Sequence, residues 1–360
     1  MPDERDLPHG VMEGKGAYNK HAKIPAGGAA LAVPFLEKAA RQITLEPKDR
    51  PVVIADYGSS QGKNSLAPIQ MAIRNLRSRV GPNRPIYVFH VDQPSNDFNS
   101  LFEVLSCDPD RYALDEASVF PCAIGRSFYE QVLPPDSVHL GWCSYAAVWL
   151  SRIPSLIPGH FFPAHSTGAV RAAFERQSAE DWKAFLALRA CEMRPGARLV
   201  IVLPGLSDEG SSGFSEVMDH ANAVLEQMVD EGAITAQERE RMVLGSHPRR
   251  KSELLAPFTK AGQFQQLVVE DCEIFVLPDA AWADYQLDGD KQALAMKQAQ
   301  FFRAVFMPSL GSALTRVRAG DGEALNNFGD RLQQGMVSRL ASQPASTDSF
   351  VEIIVLAKSG

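Results

Sequence analysis

Four apolar residues, Val52-Val53-Ile54-Ala55, run into Asp56-Tyr57-Gly58-Ser59-Ser60-Gln61-Gly62 and then directly into helical spacing. Leu66, Ile69, Ile73 and Leu76 fall on one helical face, while Arg74, Arg77 and Arg79 face elsewhere or sit near the C-terminal end. A strand that is apolar at consecutive positions must be covered on both faces, which restricts the chain to a mostly parallel α/β sheet. Ile86-Tyr87-Val88-Phe89 closes a β-α-β unit, and Val138-His139-Leu140-Gly141-Trp142 and Leu199-Val200-Ile201-Val202-Leu203 repeat the pattern. After Leu203 the spacing turns helical over Glu216 to Asp230, Thr235 to Arg241 and Asp290 to Phe306, which reads as a helical cap. Glu273 to Leu277 and Phe350 to Leu356 return to strand character and complete the sheet, in an order and direction that periodicity does not give. The expected division is a core of residues 1–205 and 270–360 and a cap of 206–269 with parts of 280–345.

At 360 residues with 45% hydrophobic content, the chain has ample length for a large core. A formal charge of −7 argues against nucleic acid or an anionic membrane as partner and leaves small molecules. Met1 to Gly10 contain no apolar stretch, and no apolar run approaches the roughly 18 residues of a membrane span, so an intracellular, cytoplasmic protein is expected. The five cysteines show no CxxC or Cys/His pairing, and His165, His220 and His247 share no metal-ligand spacing; no metal is expected.

The glycines of the loop after the first strand let backbone approach a ligand closely. The loop has neither the GxGxxG spacing of a dinucleotide site nor a GxxxxGK[ST] phosphate loop. The second strand delivers Asp92 to its C-terminal end, where a carboxylate can accept hydrogen bonds from both hydroxyls of a ribose. A nucleoside site without a phosphate cradle points to S-adenosylmethionine. Tyr145 and Trp149, four apart in an apolar stretch, read by themselves as one buried helical face.

Asp56 to Ser65, His90 to Asn99, Gly125-Arg126-Ser127-Phe128-Tyr129 and Ser144 to Ser151 together resemble the SABATH family of S-adenosylmethionine-dependent carboxyl methyltransferases, best known from plants but with bacterial members. Met228 to Ile234 and Arg303 to Pro308 extend the resemblance over nearly the whole chain. It implies a Rossmann-like class I methyltransferase core, S-adenosyl-L-methionine as cofactor with S-adenosyl-L-homocysteine as product, a small carboxylic acid as substrate, and a homodimer. Carried over residue by residue, Asp56, Gly58, Asn64, Asp92 and Gln93 fall in the cofactor motifs, Ser127 and Phe128 flank the adenine, and Tyr18 and Tyr145 lie near the sulfonium and methionine. Trp149 matches the tryptophan whose indole N–H holds the acceptor carboxylate, and with Tyr145 it forms the implied catalytic pair. The partner glutamine position is Pro25, which carries no donor. Trp142, where plant members often have histidine, either supplies a donor or packs. Val148 stands where many members carry methionine, and Phe214, Met218, Val305 and Phe350 are the remaining implied pocket residues. The expected reaction is methyl ester formation without a general base. Its rivals are N-methylation of a small heterocycle, binding without catalysis and, with the resemblance set aside, a nicotinamide-dependent oxidoreductase.

Overall fold

The computed structural model describes residues 10–46, 50–114, 118–207, 210, 212–258 and 262–360. Of the stretch read as lacking a leader, only Gly10 is among them. Among the described residues no helix is long and apolar enough to cross a membrane.

Strands β1 (Val52–Tyr57), β2 (Ile86–Asp92), β3 (Val119–Gly125), β4 (Val138–Ser144) and β5 (Met193–Pro204) are parallel; β6 (Gln263–Phe264), β7 (Leu267–Leu277) and β8 (Ser349–Lys358) complete an eight-stranded sheet of order β3-β2-β1-β4-β5-β8-β7-β6. Of the two late strand runs, β8 is antiparallel to both its neighbours, β5 and β7, so β7 runs in the direction of the first five strands. Each face of the sheet buries its own core. Ile54, Val88, Leu140, Trp142 and Val200 pack with Leu36 of helix Lys23–Gln42 and Ile69 of helix Lys63–Val80. Tyr57, Val91, Leu199 and Ile201 pack with Trp182 and Phe185 of helix Gly168–Glu192. A third core gathers helices Ser215–Asp230, Lys291–Val305 and Gly322–Ser342 through Met218, Leu225, Phe302, Leu332 and Met336. Strand order reverses between β1 and β4, so the loops leaving their C-terminal ends part there and open a crevice, where ligands of open α/β sheets bind.

Candidate active site

The floor of the crevice is built largely by backbone. After β1 the chain turns at Gly58, whose φ of 86° is left-handed, and donates Gly58 N–H and Ser59 N–H to Val91 O at 2.7 and 3.1 Å. A Cβ at Gly58 would lie 2.0 Å from the Cβ of Ala146, so glycine is required where the β1 and β4 loops meet. Asp92, the last residue of β2, accepts from Ser60 N–H at 2.7 Å and from Gln93 N–H at 2.8 Å. Removal from water pushes its pKa up to about 6, against those two hydrogen bonds. Beneath the loop, His90 joins Asp56 through Nδ1 and Tyr112 through Nε2, both at 2.8 Å, and ties β1 to β2.

Phe128 is set by a buried ion pair: Arg189 donates to Phe128 O at 2.8 Å and Glu130 O at 3.2 Å, stacks 4.3 Å over the Tyr57 ring, and meets Glu192 at 2.9 Å. Glu192 also accepts from Tyr57 Oη and from Val132 N–H. After β4 the chain does not form the helix that the Tyr145–Trp149 spacing suggests. Tyr145 takes a left-handed φ of 59°, a strained conformation for a side chain of this size, and Trp149 forms an isolated antiparallel bridge with Ser246. Tyr129 Oη donates to Trp149 O at 2.6 Å and Arg249 donates to Ala147 O at 2.5 Å, so the loop is held from outside and its side chains face inward.

The roof comes from the helical layer. Phe214, Met218, Phe301, Val305 and Phe306 line a cavity that also takes in Gly58, Asp92, Gln93, Phe128, Tyr145, Val148 and Trp149. Phe301 meets Phe214 and Phe306 at ring distances of 5.7 and 5.9 Å, and Phe306 lies 6.3 Å from Trp149. The N-terminal segment straps roof to floor: Glu13 N–H donates to Ala304 O, its carboxylate pairs with Arg303 at 2.8 Å, and its carbonyl accepts from Gln61 Nε2. Burial raises the hydroxyl pKa of both Tyr18 and Tyr145, which also line the cavity, so both stay neutral. Among the described lining residues, Asp92 and these two tyrosines are the only ionisable groups.

Of the sequence-predicted residues, Tyr18, Gly58, Asp92, Gln93, Phe128, Tyr145, Val148, Trp149, Phe214, Met218 and Val305 come together on this cavity. Trp142 does not: strand alternation turns it to the other face, where it is fully buried in the core and its indole N–H has no partner among the described residues. Phe350 is also off the cavity, half-buried in β8 opposite Val276 and accepting Gly205 N–H on its backbone. Asp56, Asn64 and Ser127 stand one step behind the wall. Asp56 binds His90, Asn64 donates to Ala22 O at 3.3 Å and bonds Tyr18, and Ser127 Oγ accepts from Tyr129 N–H. Sequence reasoning missed Phe162, Ser246 and Phe301, whose segments carry no motif, and Ser60 and Asn96, which stand inside quoted motifs. It also treated the histidines singly, whereas the fold brings His160, His165 and Asp219 together, both Nε2 atoms lying 3.3 Å from Asp219. His160 Nδ1 accepts from Phe162 N–H, which leaves the neutral ring's proton on Nε2 and suits it to donate to a carboxylate rather than ligate a metal.

Residues 7–359 match the family model described as SAM dependent carboxyl methyltransferase. The chain is similar to Methyltransferase FUS9 of Gibberella moniliformis, 27% identical over 276 residues that cover 75% of this chain and 74% of that protein. It is 30% identical over 274 residues to salicylate carboxymethyltransferase of Clarkia breweri, covering 72% and 74%. A solved loganic acid methyltransferase with SAH shares the fold, with a TM-score of 0.75 at 22% identity over 97% of this chain and 99% of that one.

Proposed function

We propose, for a chain that belongs to the family of SAM-dependent carboxyl methyltransferases, that it esterifies a small hydrophobic acid, aromatic or isoprenoid-like, by direct displacement. The enzyme's cofactor is S-adenosylmethionine, and the polar end of the cavity suits it: Gly58 has no Cβ, Asp92 presents a carboxylate, and the buried Ser60 Oγ and Tyr145 hydroxyl lack partners among the described residues. Asp92 would hold the ribose, Phe128 the adenine, and Tyr18 and Tyr145 the methionine end, with Gly58 and Gln93 beside them. Asn64 would act by steadying Tyr18. When bound, the cofactor supplies an electrophilic methyl group on a sulfonium.

What is left to the protein is alignment and dryness. A carboxylate of ordinary pKa near 4 is ionised at neutral pH, and the described lining holds no histidine, lysine or second carboxylate to deprotonate an alcohol or amine. Trp149 orients the acid through its indole N–H, keeping reacting atoms about 3–3.5 Å apart. The faces of Tyr18 and Tyr145 stabilise positive charge at their end by about 0.5–2 kcal/mol. Phe214, Met218, Val305 and Val148 exclude water and bound the acceptor's size. On this reading residues 206–269 with parts of 280–345 cap a core of 1–205 and 270–360, and the working unit is a homodimer, which light scattering would check.

One observation carries the proposal: a single cavity is lined by the Asp92 carboxylate, by the aromatic residues Phe214, Phe301 and Phe306, and by Trp149. Incubation with labelled S-adenosylmethionine and a panel of benzoate, salicylate, indole-acetate, cinnamate and farnesoate tests it. The expected product is an alkali-labile methyl ester. Alkali-stable label on a nitrogen heterocycle would identify the N-methyl reading instead, and acid-induced thermal stabilisation without turnover would identify a binding protein.

A further inference from the structure

A carboxylate entering an apolar chamber loses its water shell, and that loss is costly unless donors inside replace it. Phe306, 6.3 Å from Trp149, and the lining residues Pro25, Val148 and Pro248 carry no side-chain donor. Besides Ser60 and the two tyrosines given to the cofactor end, four lining hydroxyls remain: Ser95, Ser144, Ser212 and Ser246, of which Ser95 lies in the loop that follows Asp92 at the floor. Ser144 belongs to the floor, at the end of β4 beside the Gly58–Ala146 contact. Ser212 sits in the turn that enters the roof helix, its Oγ accepting the N–H of Phe214 at 3.4 Å, and not in the pairing opposite Trp149.

Ser246 is placed differently. Leu150 N–H donates to Gly245 O at 2.8 Å and His247 N–H donates to Val148 O at 2.9 Å, so these bonds flank Trp149 and Ser246, which face each other between them. Such a non-hydrogen-bonded antiparallel pair sends both side chains to one face with Cβ atoms about 4.5–5.5 Å apart. Ser246 is 5% exposed and lines the cavity. The two cross-strand bonds hold its position relative to the indole, because they set the register of the pair.

We propose that the Ser246 hydroxyl is the second donor to the acceptor carboxylate, gripping it together with the Trp149 indole N–H. The assignment rests on the esterification reading and adds to it a binding residue that selects anionic over neutral acceptors. Trp149 alone would leave one carboxylate oxygen facing apolar wall; with Ser246 each oxygen meets a donor.

The test uses the full chain and whichever acid the wild type esterifies fastest, with its primary amide as a neutral competitor. Ser246→Ala should lower kcat/KM for the acid about 10- to 100-fold, the range for losing one hydrogen bond to a charged group. It should also shrink the preference for binding acid over amide by a similar factor, while S-adenosylhomocysteine affinity by calorimetry stays within twofold. Ser246→Thr, which keeps the hydroxyl, should stay within about fivefold of wild type in kcat/KM and verifies that the bridge tolerates substitution. An Ala variant with unchanged kcat/KM and unchanged acid-over-amide preference overturns the assignment, as does a Thr variant as impaired as Ala. If the wild type esterifies no acid, the esterification reading itself has failed, a result separate from either of these.

Discussion

The floor of the cavity is held by backbone and the roof by side chains. At the floor, Gly58, Ser60 and Gln93 act through main-chain groups, and Asp92 is clasped by two N–H donors. At the roof, Phe214, Met218, Phe301, Val305 and Phe306 act through apolar surface contributed by helices Ser215–Asp230 and Lys291–Val305 and the residues that cap them. Backbone geometry admits few substitutions, whereas an apolar wall can exchange residues of similar volume for under about 1.5 kcal/mol. The same fold can thereby keep one cofactor and change its acceptor, and experiments on the two ends should separate cleanly.

The severest blow to the floor should come from Arg189→Met. Removing the guanidinium strands Glu192, which is fully buried, and releases Phe128 O and Glu130 O. Breaking a buried pair by deleting one partner costs about 3–5 kcal/mol, so chemical denaturation should show a loss of that size. A loss under about 1 kcal/mol would mean that the roof, not this pair, secures Phe128.

Gly58→Ala should follow, at about 3 kcal/mol. A left-handed dihedral costs an L-residue about 1–2 kcal/mol, and the overlap with Ala146 adds about 1–3 kcal/mol. Adding Ala146→Gly removes the overlap but not the dihedral cost, so a thermodynamic cycle should recover only the steric part. Additive effects would show that the two loops are not in contact in solution.

Trp149→Phe tests the boundary between the two ends. It deletes one N–H and keeps an aromatic ring against Phe306. The acid's kcat/KM should drop about 10- to 100-fold, as for one charge-assisted hydrogen bond, while S-adenosylhomocysteine affinity is unchanged. Full activity in the Phe variant would dissolve the assigned role.

The contrast between floor and roof also explains what could be read from the sequence. The strand runs and the loop from Asp56 to Ser65 were legible because a doubly covered strand and a left-handed glycine leave local signatures. Helix Gly168–Glu192 was not, since its buried side carries Gln177, Ser178, Asp181, Arg189 and Glu192 and no clean apolar stripe. The reversed direction of β8 and its place between β5 and β7 depend on how distant segments pair, which periodicity does not encode. Trp142 went astray because a fully covered strand is apolar on both faces, so nothing local tells which face meets the cavity. Ser246 was invisible for the opposite reason: its place across from Trp149 exists only once residues nearly a hundred positions apart have formed their bridge.

The mildest test uses acid rather than mutation and reaches the floor alone. Asp92 has its pKa raised to about 6, chiefly by desolvation, so the cofactor-free protein binds a proton there that the unfolded chain releases near 3.8. Between those values the native state holds more protons than the unfolded one, and by linkage this group's contribution to cofactor-free stability falls as pH rises through the window. Cofactor affinity should run the other way, because the ionised carboxylate is the form that accepts from a ribose. At pH 5 about nine-tenths of Asp92 is protonated, so S-adenosylhomocysteine should bind roughly tenfold more weakly than at pH 7.5, equal to about 1.4 kcal/mol. Asp92→Asn should bind weakly and lose the pH dependence, whereas Trp149→Phe should retain it. A wild-type affinity flat from pH 5 to 7.5 would place the ribose elsewhere than against Asp92, and would remove the electrostatic distinction between floor and roof.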